Sequence, residues 1–369
     1  MVEQIQIENF KSVANLTLDL GRVNVFIGEN GSGKSNILEA IAMASAAAER
    51  KLDNEFLASR GIRVTDPQAM RSGFEKESLD KNIILKFLDA DNQPIRLFEL
   101  RHNNQIYSKW GIRERLYNNG IAEWMQYEKQ DLSKTREIGQ EFNIELTIFH
   151  PINFLIYSPE NYFLRRFEDE SQITPLGIRG EGLFKLLSIV HEENPVQFQK
   201  IRANLALIDW FEGFEIPNDL RFTEQRIRIK DRFTEDGLAY FDQRSANEGF
   251  LYLLFYFSLF ISDYTPHFFA IDNIDNAMNP KLASRLVAQL AILAKEHNKQ
   301  VIMTTHNPAV LDGLDLKDDQ QRLFVISRNK LGHTKALRIS YKPTPEGQQP
   351  LRLSEQFLRG YIGGLPKNF

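Results

Sequence analysis

Apolar and polar positions alternate through QIQIENF at 4–10 and LTLDL at 16–20, the period-two pattern of strands with one buried face. VNVFI at 23–27 replaces alternation with a continuous apolar run, as a strand covered on both faces requires. NILEAIAMASAAAER at 36–50 then has the period and composition of a helix. From 83 to 109 three runs, IILKFLD, IRLFELR and QIYSKW, are separated by the turn signals DNQP and HNN and predict an antiparallel meander. Residues 112–146 and 180–212 read as mixed helical patterns, clearest in GLFKLLSIVHEE and VQFQKIRANLALIDWF. RFTEQRIRIKDRF at 221–233 alternates again and predicts a strand. Beyond it the order is helix 248–261, strand 267–272, helix 280–297, strand 300–304 and a hairpin at 322–340. Strands interleaved with helices in this way define an α/β class.

Composition narrows the picture by exclusion. With 369 residues, 42% hydrophobic and 25% charged, the chain can bury a substantial core. The absence of cysteine removes disulfides, thiolate nucleophiles and cysteine-ligated zinc, and suits a cytoplasmic protein. The most apolar stretch, FLYLLFYFSLFI at 250–261, is too short for a membrane span of about 20 residues and predicts a core helix. A net charge of −4 gives no global basic field for nucleic acid.

The chemistry begins at Gly28-Glu29-Asn30-Gly31-Ser32-Gly33-Lys34-Ser35, followed by Asn36, which matches G-x-x-x-x-G-K-[ST] at every fixed position. An apolar strand precedes it and a helix follows, the context in which backbone N–H groups and a helix N-terminus cradle phosphates. Lys34 is expected to reach the β- and γ-phosphates of ATP, and Ser35 to bind Mg2+.

The second half supplies FFAIDNIDNAMNP at 268–280. A buried strand running into Asp272 places a second Mg2+-handling carboxylate at a strand end. The following residue in an ATPase is usually the glutamate that deprotonates water, and here it is Asn273. A carboxamide can orient water but cannot accept its proton, and loss of a positioned base costs about 10²- to 10⁴-fold in rate. Were 272–275 to stay extended, Asp275 would point to the same side as Asn273 and could approach that water; a separate role for Asp275 is the alternative.

With the P-loop, the opening IENFKSV, and SANEGF, FFAIDNID and VIMTTHNPAVLD late in the chain, the sequence resembles a compact ABC-type ATPase head of the SMC/RecF/OLD group, among them the AAA-like ATPases of bacterial anti-phage operons. The resemblance implies an ABC-ATPase-like head with a mainly parallel sheet flanked by helices, an antiparallel β subdomain and a helical insertion. The expected division is 1–110 for the first part of the head, 111–215 for a mainly helical insertion and 216–369 for the rest. It also implies that two copies close head-to-tail around ATP, each capping the other's nucleotide with a signature motif. Carried over, that motif is Asn247-Glu248-Gly249 within Ser245–Gly249, with an ordinary helix cap as the alternative reading of Asn247. His306 matches the switch histidine that contacts the γ-phosphate. Gln140, Gln172 and Gln197 all stand as counterparts of the Mg2+-contacting glutamine, and nothing in the sequence chooses among them.

The favoured expectation is a slowly hydrolysing ATPase that forms a homodimer or higher homo-oligomer around ATP and gates a separate effector, a nuclease or toxin, in anti-phage defence. The stretch between Ser35 and Ser245 is too short for long coiled-coil arms, and that after His306 too short for a fused nuclease. The alternative is a RecF-like repair ATPase acting on DNA, motivated by Arg226, Arg228, Lys230 and Arg232 alternating along one segment. A membrane-transporter subunit ranks last because the signature is poor in glycine.

Overall fold

The computed structural model describes residues 1–91, 93–105, 107–118, 121–127, 153–167, 173–217, 225–235, 240–343 and 349–365. In chain order, β1 (Gln4–Phe10) and β2 (Val13–Asp19) lead to β3 (Val23–Ile27), the P-loop and helix α1 (Lys34–Ala48). Helix α2 (Asn54–Ser59) and a long loop precede β4 (Ile83–Leu88), β5 (Pro94–Arg101), β6 (Gly111–Asn118) and β7 (Ile121–Tyr127). Next come β8 (Ile156–Tyr157), α3 (Asn161–Arg166), α4 (Leu183–Glu193), α5 (Pro195–Asn204), β9 (Phe211–Glu215), β10 (Arg228–Asp231) and β11 (Phe241–Asp242). The remainder is α6 (Glu248–Ile261), β12 (Phe268–Ile271), α7 (Pro280–Glu296), β13 (Gln300–Thr305), β14 (Gln321–Arg328), β15 (Thr334–Ile339) and α8 (Leu353–Leu358).

Two six-stranded sheets organise the described residues, in orders β15-β14-β3-β13-β12-β8 and β2-β1-β4-β5-β6-β7, beside a small sheet β11-β10-β9. The first is parallel from β14 to β8, with β15 returning antiparallel, and the second is antiparallel throughout. Period two explains how the parallel sheet joins the layers. Val23, Val25 and Ile27 of β3 face the core shared with α6 and α7, while Phe26 faces the core shared with α1 and the antiparallel sheet. Both faces are therefore covered, which is why VNVFI carries no alternation. Helix α6 is buried from Phe250 to Ile261, so it is apolar all round because every side meets protein.

Four expectations are corrected. The third strand of the meander is Gly111–Asn118, not 105–109; it pairs antiparallel with β5. Residues 111–118 and 121–127 are strands where a helical pattern was read, because IRERLYN and IAEWMQY are stabilised by cross-strand pairing that single-segment periodicity does not see. The remainder of 112–146, from 128, lies outside the described residues. The second helical stretch ends in a short 3-10 turn at Leu205–Leu207, and Phe211–Glu215 is a strand; the strand expected at 221–233 is confined to Arg228–Asp231 within its described part.

Candidate functional site

The P-loop bends because two glycines take the left-handed backbone conformation. Gly31 and Gly33 have φ of 75° and 105°. A Cβ on Gly33 would collide with Thr334 Oγ1 and come within 2.8 Å of Ser12 Oγ. Those two hydroxyls lie 2.7 Å apart, Thr334 Oγ1 donates to Ser32 O at 3.1 Å, and Asn36 Nδ2 donates to Ser12 Oγ at 2.6 Å. The β1–β2 turn and β15 thus brace the loop from outside.

A cavity of about 370 Å³ opens at the N-terminus of α1, lined by Asn30 to Asn36, Arg63, Asp272, Asn273, His306 and Arg328. Lys34 is buried and donates to Gly28 O at 2.8 Å and Glu29 O at 3.1 Å, so those first two loop residues contribute through their carbonyls. Burial pushes the Lys34 ammonium down to about 8, against the upward pull of Asp272. Ser32 Oγ is buried without a hydrogen-bond partner inside this lining, a donor suited to a phosphate oxygen.

Asp272 follows β12, and its amide donates to Tyr157 O of the neighbouring β8 at 2.8 Å. Thr304 Oγ1 donates to Asp272 Oδ1 and leaves Oδ2 at 3.5 Å from Ser35 Oγ. A hydroxyl and a carboxylate oxygen facing each other beside a phosphate loop are the hard oxygen donors that Mg2+ takes, so the residues fit that ion. Asn273 has φ of 55° and donates its N–H to Thr304 Oγ1 at 2.9 Å. The chain therefore turns at Asn273, and the extended path that would place Asp275 beside it is not followed. Asp275 instead accepts from Thr305 Oγ1 at 2.6 Å and lies outside the cavity lining. His306 is exposed at the rim; burial of its ring and then the Lys34 cation push it below its ordinary value, with Asp275, Asp272 and the Gly28 backbone pulling upward.

A second cavity of about 580 Å³ shares Asn36, Arg63 and Arg328 with the first and continues past Lys11, Ser12 and Phe74. Buried Glu39 accepts from both Lys11 and Arg63, which draws the loop after α2 against the P-loop helix. Ser12, Arg63, Thr304, Arg328 and Thr334 were not singled out from sequence. Ser12 and Thr304 lie inside the quoted IENFKSV and VIMTTHN; the other three have no local signal.

Asn247, Glu248 and Gly249 stand apart from the cavity, at the N-terminus of α6. Asn247 Oδ1 caps the helix by accepting from Phe250 N at 2.8 Å, while Ser245, Asn247 and Glu248 remain exposed. Gln197 donates to Asp263 at 2.8 Å just beyond the C-terminal end of α6, away from the nucleotide cavity. Gln140 and Gln172 lie outside the described residues. The basic segment is partnered: Arg228 pairs with Glu215, Lys230 with Glu212, and Arg232 donates to Phe211 O.

This fold and loop define a P-loop ATPase head of the ABC/SMC type. Residues 23–312 match the family described as AAA domain, putative AbiEii toxin, Type IV TA system, and the chain belongs to it. It is 33% identical over 118 residues to an uncharacterized protein of Methanocaldococcus jannaschii, covering 30% of this chain and 52% of that one. An ATP/GTP phosphatase of Helicobacter pylori is 22% identical, with 63% of this chain and 80% of that one covered. A DNA replication and repair protein RecF of Clostridium tetani is also 22% identical, with coverage of 63% and 53%. The chain thus spans about half the length of two of these relatives. Among solved structures, an SMC head bound to the C-winged helix domain of ScpA superposes with a TM-score of 0.55 at 17% identity, covering 92% of this chain and 98% of that one. No helix among the described residues is long and apolar enough to cross a membrane.

Proposed function

We propose that the protein is a slow nucleotide switch: ATP and Mg2+ in the P-loop cavity pair two copies, and the paired form holds or restrains a separate effector, a nuclease or toxin, in anti-phage defence. The observation that carries this reading is a cavity supplied with phosphate and cation ligands whose base position holds the carboxamide of Asn273. Lys34, the loop amides and Ser32 would bind the phosphates, Ser35 and Asp272 the cation, and the larger neighbouring cavity the base and ribose. Asn273 orients water without deprotonating it, so closure outlasts a single binding event. The exposed N-terminus of α6 supplies N–H groups for a phosphate arriving from the second copy. The family's description, which names the AbiEii toxin and a type IV TA system, supports a role tied to an effector over a stand-alone ATPase.

Tagged protein recovered from its own cells with Mg2+ and a slowly hydrolysed ATP analogue is expected to bring down a nuclease or toxin that Lys34→Ala protein does not. Recovery that ignores nucleotide and Lys34 would remove the gating role. RecF-like action on DNA draws on the RecF relatives, but the basic segment that motivated it is ion-paired on its own sheet, which weakens its field toward phosphates.

A further inference from the structure

Nη1 of Arg165, in α3, donates to three main-chain carbonyls of the turn before α6: Gln243 O at 3.4 Å, Arg244 O at 2.8 Å and Ala246 O at 2.7 Å. The amides of the same turn are satisfied within it. Arg244 N and Ser245 N donate to Asp242 Oδ1 at 3.0 and 3.3 Å, and Ala246 N donates to Gln243 O at 3.4 Å. Fully buried Gln243 fixes the turn from beneath, accepting from Ile227 N at 3.2 Å and donating to Gln225 O at 3.3 Å. From α3 as well, Asn161 Nδ2 donates to Glu248. Helix α3 therefore grips the chain on both sides of exposed Asn247.

The electrostatics give this grip a purpose. Three carbonyl oxygens beside a helix N-terminus would oppose the attraction of that terminus for an anion. A guanidinium bound to all three neutralises them with charge-assisted bonds and leaves the positive end of α6 facing outward. The same short stretch, 156–166, reaches the cation-binding side: Tyr157 O accepts the Asp272 amide at 2.8 Å. One segment therefore contacts both Asp272 and the turn at 243–246.

We propose that Arg165 is a positioning residue for the nucleotide-bridged pair, holding the 242–247 turn in the shape that meets the nucleotide of a second copy. This rests on the pairing reading above. The test compares wild type, Arg165→Ala and Arg165→Lys by sedimentation with Mg2+ and a slowly hydrolysed ATP analogue. A fluorescent ATP analogue, titrated at dilutions where the copies are apart, reports the affinity of a single copy. Arg165→Ala should weaken pairing by about tenfold or more, the loss expected for charge-assisted bonds. Its nucleotide affinity should stay within about twofold of wild type. Arg165→Lys should fall between, because an ammonium can still donate to carbonyls of the turn.

Unchanged pairing of Arg165→Ala would overturn the proposal, as would equal losses of pairing and affinity, which mark a merely structural role. Wild type that binds nucleotide but never pairs would instead remove the pairing reading and this inference with it. Should Arg165→Ala fail to fold, hydrogen exchange of Arg165→Lys decides: faster exchange confined to 243–249 supports the proposal, and unchanged exchange there refutes it.

Discussion

Replacing Asn273 with glutamate puts a carboxylate where the structure presents a carboxamide to the phosphate cavity. The Asn273 N–H bond to Thr304 Oγ1, 2.9 Å long, belongs to the backbone and survives the change. The φ of 55° does carry a cost. Asparagine tolerates the left-handed region, whereas glutamate there should lose about 1 kcal/mol. For a chain of this size that is a drop of about 2 °C in Tm. Against it stands the gain from a positioned base, about 10²-fold or more in hydrolysis rate. Lys34, Arg63 and Arg328 around the cavity offset the repulsion between the new carboxylate and Asp272. Phosphate release over hours at saturating ATP and Mg2+, with Lys34→Ala as background, reads the outcome. An Asn273→Glu protein no faster than wild type would refute the assignment of position 273, and Asp275→Asn would then become the informative variant.

Lys34 gives a pH signature. Its folded value of about 8 lies below the ordinary 10.5, so the penalty of the buried ammonium is fully present below about 8. That penalty is relieved as pH rises toward 10.5, so Lys34 makes stability rise across that window. Phosphate draws the proton back; calorimetry should show proton uptake on ATP-analogue binding at about pH 9 and little at about pH 6.5, and uptake at neither pH would count against Lys34 as the phosphate ligand. Gly33→Ala should cut nucleotide affinity by about tenfold or more while the fold persists, since its Cβ meets Thr334 and Ser12; a fluorescent-nucleotide titration checks this. Lys299, fully buried, donates to Ser262 O, Thr265 O and Pro266 O beyond the end of α6, so Lys299→Met should cost about 2 to 3 kcal/mol in urea unfolding, and a loss under about 0.5 would contradict that role.

What the sequence made legible was local. VNVFI, the glycine loop and the following helix are contiguous, so period and motif place β3, the P-loop and α1 within a residue or two. The cap at Asn247 and the burial of α6 follow from composition in the same way. What escaped depends on partners distant in the chain. Residues 111–118 form a strand because β5 lies beside them and 121–127 because β6 does, and the bend at Asn273 is held by Thr304 from another strand. Thr334 reaches the P-loop from β15, and Arg63 is placed there by Glu39 of α1. No window of sequence contains both members of those pairs. Arg165 is a further case: only tertiary contact turns its side chain onto three carbonyls 78 to 81 residues away.

The most direct test of the account is sedimentation of the protein with Mg2+ and a slowly hydrolysed ATP analogue, beside Lys34→Ala. The account predicts that wild type shifts from single copies to pairs only with nucleotide, and that Lys34→Ala does not shift. Wild type that binds the analogue tightly yet sediments unchanged at every concentration would contradict the nucleotide-gated pair on which the proposed function stands.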